Sequence, residues 1–108
     1  MINIDDFKKV EIKVGTILTI EEIEGSEKLL KFSIDLGEAE PRQILGGLKL
    51  AYQPNELIGK QVLVAANLEP RKLMGLESQG MILAASNSEG KPVIISPITE
   101  VPSGTGIR

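Results

Sequence analysis

The chain has 108 residues, 42% of them apolar, which suits one domain with one core. It has no cysteine and no histidine, which excludes disulfides and thiolate metal sites and removes the commonest general base and zinc ligand. The net charge of −3 speaks against a nucleic-acid binder by its sum, but residues 41–80 carry five bases against three acids, so a basic face can exist on an acidic molecule.

In chain order, the segment Phe7 to Ile23 alternates Val10, Ile12 and Val14 with Glu11 and Lys13, and predicts a long half-buried strand. Gly15 within it marks a bend or a close backbone approach. After a turn at Gly25-Ser26, Leu30, Phe32, Ile34 and Leu36 alternate with Lys31, Ser33 and Asp35 as a second strand ending at Gly37. A third covers Arg42 to Leu45 and stops at Gly46-Gly47. Pro54 then opens a short helical turn over Asn55-Glu56-Leu57, closed by Gly59-Lys60. Gln61 to Leu68 is a strand rich in Val, Leu and Ala. Gln79 to Ala85 is nearly continuous in apolar residues and predicts a strand covered on both faces. Ser86 to Pro92 is a turn, Val93-Ile94-Ile95 a last short strand, and Pro97 to Arg108 a tail rich in Pro, Gly and Ser.

Strands this short need closure to hide their edges. The helical plug after the third points to an oligonucleotide/oligosaccharide-binding barrel. The expected fold is therefore all-β: a five-stranded OB-fold barrel with a short helix between strands 3 and 4 and irregular terminal extensions, forming a single domain over residues 1–108. No run has the length to span a bilayer and the N-terminus lacks a signal-peptide charge pattern, so the expected location is cytoplasmic, with no membrane partner.

The richest segment runs from Asn67 to Ala84. It places two adjacent cations, Arg71 and Lys72, in a loop flanked by Pro70 and Gly75, followed by Ser78, Gln79, Gly80 and Met81. Loop cations reach phosphates, which position a protein on nucleic acid without reading sequence. A solvated pair is the plain alternative. Arg42 has a planar fork suited to phosphate, or equally to a neighbouring acid. Ser78 can donate to phosphate or ribose, or cap its own turn. Lys13 lies on the polar face of the first strand. Asn67 ends a strand where it would hold the following loop, and Met81, opening an apolar strand, reads as core.

Six collinear pieces carry a resemblance: Phe7 to Ile17, Glu27-Lys28-Leu29-Leu30, Arg42 to Gly47, Gly59-Lys60-Gln61-Val62, Asn67 to Ala84, and Glu100-Val101-Pro102 with Gly104. Together they resemble the tRNA-binding domain that occurs as a free-standing structure-specific tRNA-binding protein and is similar to the C-terminal domain of methionyl-tRNA synthetases. The resemblance implies the barrel just described, a homodimer, shape-based binding of tRNA at its elbow, and no catalysis; no cofactor is expected. By motif match it implies contacts from Lys13, Lys28, Arg42, Asn67, Lys72, Ser78, Gln79 and Met81, beside Arg71 from the loop itself. The chain departs from the family pattern at Gly25-Ser26-Glu27 and Gly46-Gly47.

With only Phe7, Phe32 and Tyr52 as aromatics, the chain offers a poor platform for stacking single strands. Contacts to phosphate and sugar on a folded RNA are expected instead. The terminal segments Ile2-Asn3-Ile4 and Ile98 to Ile107 are expected to dock on a second copy or to cover their own barrel. A synthetase is a further expected partner. A CsaA-like chaperone binding unfolded or precursor polypeptides is the alternative, disfavoured by the Glu77-Ser78-Gln79-Gly80-Met81 piece. Adjacent acids such as Asp5-Asp6 and Glu21-Glu22 would face opposite ways on a strand, which suits no acid/base pair.

Overall fold

The computed structural model describes Met1–Arg108. It is a nearly closed antiparallel barrel of five strands, β1 (Ile12–Glu22), β2 (Leu30–Asp35), β3 (Arg42–Gly46), β4 (Gln61–Ala65) and β7 (Met81–Ile82), in the order β3-β2-β1-β4-β7. Two small hairpins leave it, β5 (Arg71–Leu73) with β6 (Leu76–Ser78), and β8 (Ala84–Ser86) with β9 (Pro92–Ile94). Short helices α1 (Ile4–Phe7) and α2 (Pro54–Leu57) complete the fold, with α2 between the third and fourth strands as expected.

The alternation in β2 produces the core. Leu30, Phe32, Ile34 and the following Leu36 are buried, with Ile17, Ile44, Leu48, Leu57, Val62, Val64 and Ala66 packed around them. Each such large side chain contributes about 1.5–3 kcal/mol on removal from water. Leu57 enters from α2, whose Pro54 stands in the first turn and whose Glu56 carboxylate accepts from the Gln53 N–H at 3.1 Å.

β1 serves two neighbours. Residues 12–16 pair with β4 and residues 16–22 with β2, with a register shift between Ile17 and Thr19. The close approach expected at Gly15 is present: a Cβ there would stand 2.5 Å from Cγ2 of Ile34 and 2.9 Å from Cδ2 of Leu36.

Four sequence expectations need correction. The first strand begins at Ile12, not Phe7, because Asn3 accepts from the Asp6 N–H at 2.8 Å and caps α1, leaving Val10 exposed. The strand expected over Gln61 to Leu68 ends at Ala65. The strand expected over Gln79 to Ala85, covered on both faces, is two pieces. β7 completes the barrel beside β4, then the chain turns out to pair β8 with β9, leaving Met81, Ala84 and Ala85 exposed. Arg71 and Lys72 lie in the β5–β6 hairpin rather than in an irregular loop.

The two roles left open for the C-terminal segment also separate. Residues 101–107 lie on their own barrel, on the part of β1 that β2 does not reach. Val14 N–H donates to Thr105 O at 2.8 Å, Gly104 N–H to Val14 O at 2.7 Å, and Ile107 N–H to Ile12 O at 2.8 Å. Gln61 exchanges hydrogen bonds with the Val101 backbone, and Thr16 Oγ1 meets Ser103 Oγ at 2.8 Å.

Candidate nucleic-acid interface

The segment 67–78 projects from the barrel as an arm. Its hairpin is closed by a two-residue turn, Met74-Gly75, between the facing residues Leu73 and Leu76. Both turn residues have positive φ, 53° and 77°, the signature of a type I′ turn, for which Asn-Gly is the preferred pair. Met74 is the only residue other than glycine in the left-handed region, at a cost of roughly 1–2 kcal/mol. Its side chain is exposed, and its methyl reaches over Gly25, 3.6 Å from where a Cβ would stand, so the arm tip meets the β1–β2 turn.

Strand alternation divides the arm into two faces. Lys72 stands directly opposite Glu77 on the outer face, while Arg71, Leu73, Leu76 and Ser78 share the inner one. Arg71, Leu73 and Ser78 line a small cleft of about 50 Å³ with Leu45, Leu68 and Met81. Met81 is exposed rather than core, because β7 sits at the open edge of the barrel. Arg71, Lys72 and Lys28 are exposed and have no carboxylate oxygen within ion-pair distance. Lys28 lies in the β1–β2 connection that the arm tip approaches, and its carbonyl accepts from the Lys49 N–H at 3.1 Å.

The other candidates are engaged within the fold. Ser78 is buried, accepts from the Leu45 N–H at 3.0 Å and donates to Gly80 O at 3.0 Å. Gln79 Oε1 accepts from the Gln43 N–H at 3.0 Å, its own N–H donates to Gln43 O at 2.8 Å, and Gln43 Nε2 donates to Glu77 O at 2.8 Å. These bonds close the seam between β3 and the end of the arm, where the sheet ladder is missing. Asn67 does not hold the loop that follows it. It reaches back to the segment before β1, accepting from the Glu11 N–H at 2.8 Å and donating to Lys9 O at 2.6 Å.

Arg42 sits at the root of the arm. Its Nε and Nη2 donate to the two carboxylate oxygens of Glu38, each at 2.8 Å, and its Nη1 donates to Ala66 O and, at 3.1 Å, to Gln79 O. Ala66 and Gln79 flank the arm on either side. The hydrogen bonds from Arg42 hold the Glu38 carboxyl below its ordinary value of 4.5; partial burial opposes this, and the charges of Arg42 and Lys13 add to it. The same bonds raise the Arg42 guanidinium. Lys13, half-buried on β1, is 3.9 Å from Glu11 and adds its field to this charge cluster rather than to the arm tip.

The candidates therefore fall into three places: exposed cations at the arm and the β1–β2 turn, with Met81 at the edge of the arm's cleft; a hydrogen-bonded seam of Arg42, Ser78 and Gln79; and Lys13 with Asn67 near the N-terminal segment. Sequence reasoning missed Met74, Gln43 and Glu38. The available signal for Met74 was the pair Met74-Gly75 set symmetrically between Leu73 and Leu76. No helix is long and apolar enough to cross a membrane.

Three relatives place the chain. It is 51% identical over 106 residues to the methionine–tRNA ligase of Caldanaerobacter subterraneus, covering 98% of this chain and 16% of that enzyme, so it spans about a sixth of that relative's length. A MetRS related protein from Pyrococcus horikoshii superposes with a TM-score of 0.92 at 37% identity, covering 100% of this chain and 98% of that one. The chaperone CsaA from Bacillus anthracis superposes at 0.89 with 30% identity, covering 100% and 99%. Residues 12–106, from the first residue of β1 to the tail docked on it, match the family described as "Putative tRNA binding domain", and the chain belongs to that family.

Proposed function

We propose that residues 1–108 form one non-catalytic, cytoplasmic tRNA-binding domain that grips folded tRNA through phosphate and sugar contacts. One observation carries the reading within the family: the arm and the β1–β2 turn present Arg71, Lys72 and Lys28 with no carboxylate paired to them, on a molecule whose net charge is −3. Unpaired exposed cations on adjoining elements suit a backbone that is bound by position and charge. Arg71, Lys72 and Lys28 make the contacts. Arg42, Ser78, Gln79 and Asn67 position the arm, and Met81 lies at the edge of its cleft. Lys13 lends field rather than contact.

The active form in this reading is a homodimer. Ile4, Phe7, Val10 and Ile107 are exposed around a shallow cleft of about 230 Å³, edged by Lys8, Lys13 and Arg108. A second copy seated there would double the cations offered to one RNA. A methionyl-tRNA synthetase is the proposed protein partner, given the relatives that carry a similar region.

The test is a salt-series titration of folded tRNA and of the same tRNA heat-unfolded, with wild type and the double variant Arg71→Ala/Lys72→Ala. Salt-sensitive preference for the folded form, weakened in the variant, supports the reading. Equal binding of both forms moves it to polypeptide binding, the reading favoured by the likeness to CsaA, and a titration with a reduced, unfolded protein then decides.

A further inference from the structure

The hairpin tip combines three properties that conflict with a purely structural turn. Met74 holds a left-handed backbone conformation that a side chain with a Cβ adopts at a cost, in a turn for which Asn-Gly is the unstrained pair. Its thioether is exposed, not buried. And it stands between Lys72 on its own hairpin and the β1–β2 turn that carries Lys28, the cations assigned above to phosphate.

The aromatics are elsewhere. Phe32 is in the core, the Tyr52 hydroxyl accepts from the Ile94 N–H at 3.1 Å, and Phe7 belongs to α1 at the N-terminal cleft. No aromatic ring on the arm covers a base, and the one planar group on the hairpin, the Arg71 guanidinium, shares the inner face with Leu73, Leu76 and Ser78. An unbranched, polarizable methionine can, and apolar wedges of this kind are used against base faces where the helix is open.

We propose that Met74 is a further RNA-binding residue, an apolar contact that lies on the face of an unstacked base while Lys72 and Lys28 hold the flanking phosphates. This deepens the tRNA-binding reading and rests on it. The strained turn persists because the exposed thioether is needed there. A structural role, clamping the arm to Gly25, makes the opposite prediction for stability.

Two substitutions separate these. Met74→Asn restores the preferred turn and removes the apolar side chain. Its thermal midpoint should hold or rise by a few degrees, while its affinity for folded tRNA falls on the order of tenfold, within the range that base contacts contribute. Met74→Leu keeps an apolar side chain in the same backbone and should bind within about threefold of wild type, by the tolerance of cores and contacts to this swap. An Asn variant that binds like wild type overturns the inference and leaves the tRNA reading standing. So does an Asn variant whose midpoint falls together with its affinity, or a Leu variant that loses binding as well. Wild type that fails to bind folded tRNA overturns both.

Discussion

Arg42 and Glu38 are joined by two parallel hydrogen bonds of 2.8 Å, and the same guanidinium holds the carbonyls of Ala66 and Gln79, the residues on either side of the arm. A guanidinium with its donors committed in this way is a brace, and its carboxylate partner is part of the brace.

Glu38→Gln tests that assignment by its sign. If Arg42 touched phosphate, removing the competing carboxylate would tighten RNA binding. As a brace, the arm root loosens, and affinity should fall several-fold with the salt slope unchanged. In wild type the pair also makes stability depend on pH. The Glu38 carboxyl lies below its ordinary value of 4.5 in the folded protein, so its contribution is complete above that value and is lost as pH falls through the lower folded value. Urea melts of wild type and Glu38→Gln should therefore differ most at neutral pH and converge in acid. Curves that stay parallel down to low pH would remove the ion pair from the account.

Lys72 and Glu77 face each other across the outer side of the arm. The carboxylate offsets part of the field that Lys72 offers to a phosphate. Glu77→Gln should tighten tRNA binding, most visibly at low salt. Lys72→Ala should weaken it and reduce the log–log salt slope by about 0.7–0.9, one neutralised phosphate. A slope that does not change in Lys72→Ala would place this lysine outside the interface.

Ser78 is a test of stability before it is a test of binding. Its hydroxyl is the acceptor for the buried Leu45 N–H. Ser78→Ala leaves the donor unpaired, which costs about 1–3 kcal/mol. In a domain of this size each kilocalorie lowers the midpoint by roughly 4–8 °C. A variant that melts like wild type but loses tRNA would return Ser78 to the contact surface.

Much of this was legible in the sequence, for a reason visible in β2. Its strict alternation of Leu30, Phe32, Ile34 and Leu36 with polar residues leaves one register that buries the apolar face, and the structure adopts it. Pro54 likewise announces α2. What escaped were the features that depend on distant partners. Nothing local says that Arg42 will reach Ala66 and Gln79, or that Asn67 will bind backward to Lys9 and Glu11. The arm was hidden because three-residue strands are too short for a period to show. The apolar run after Gln79 was misleading because hydrophobicity alone does not say where a barrel is already full and the chain must leave it.

The docked tail supplies the last prediction. Gly104 has φ +90° and lies against the Leu36 carbonyl, so a Cβ there has neither a permitted backbone nor space. The facing Gly37, at φ +75°, would bring a Cβ within 2.6 Å of Ser103 O, so neither partner can move aside at the crossing. Gly104→Ala should lift residues 101–107 from β1 and free the N–H groups of Val14, Gly104 and Ile107. Their hydrogen exchange should accelerate at least about tenfold while Phe32 and Ile34 stay protected, since local opening spares the deeper ladder. Gly106 is the control: a Cβ there meets nothing within 4 Å, and Gly106→Ala should leave the same amides unchanged. If the two alanine variants exchange alike, the tail is not held by the glycine crossing. If Gly104→Ala also weakens tRNA binding, the tail's hold on β1 reaches the arm through Asn67, whose two hydrogen bonds fix the segment entering that strand.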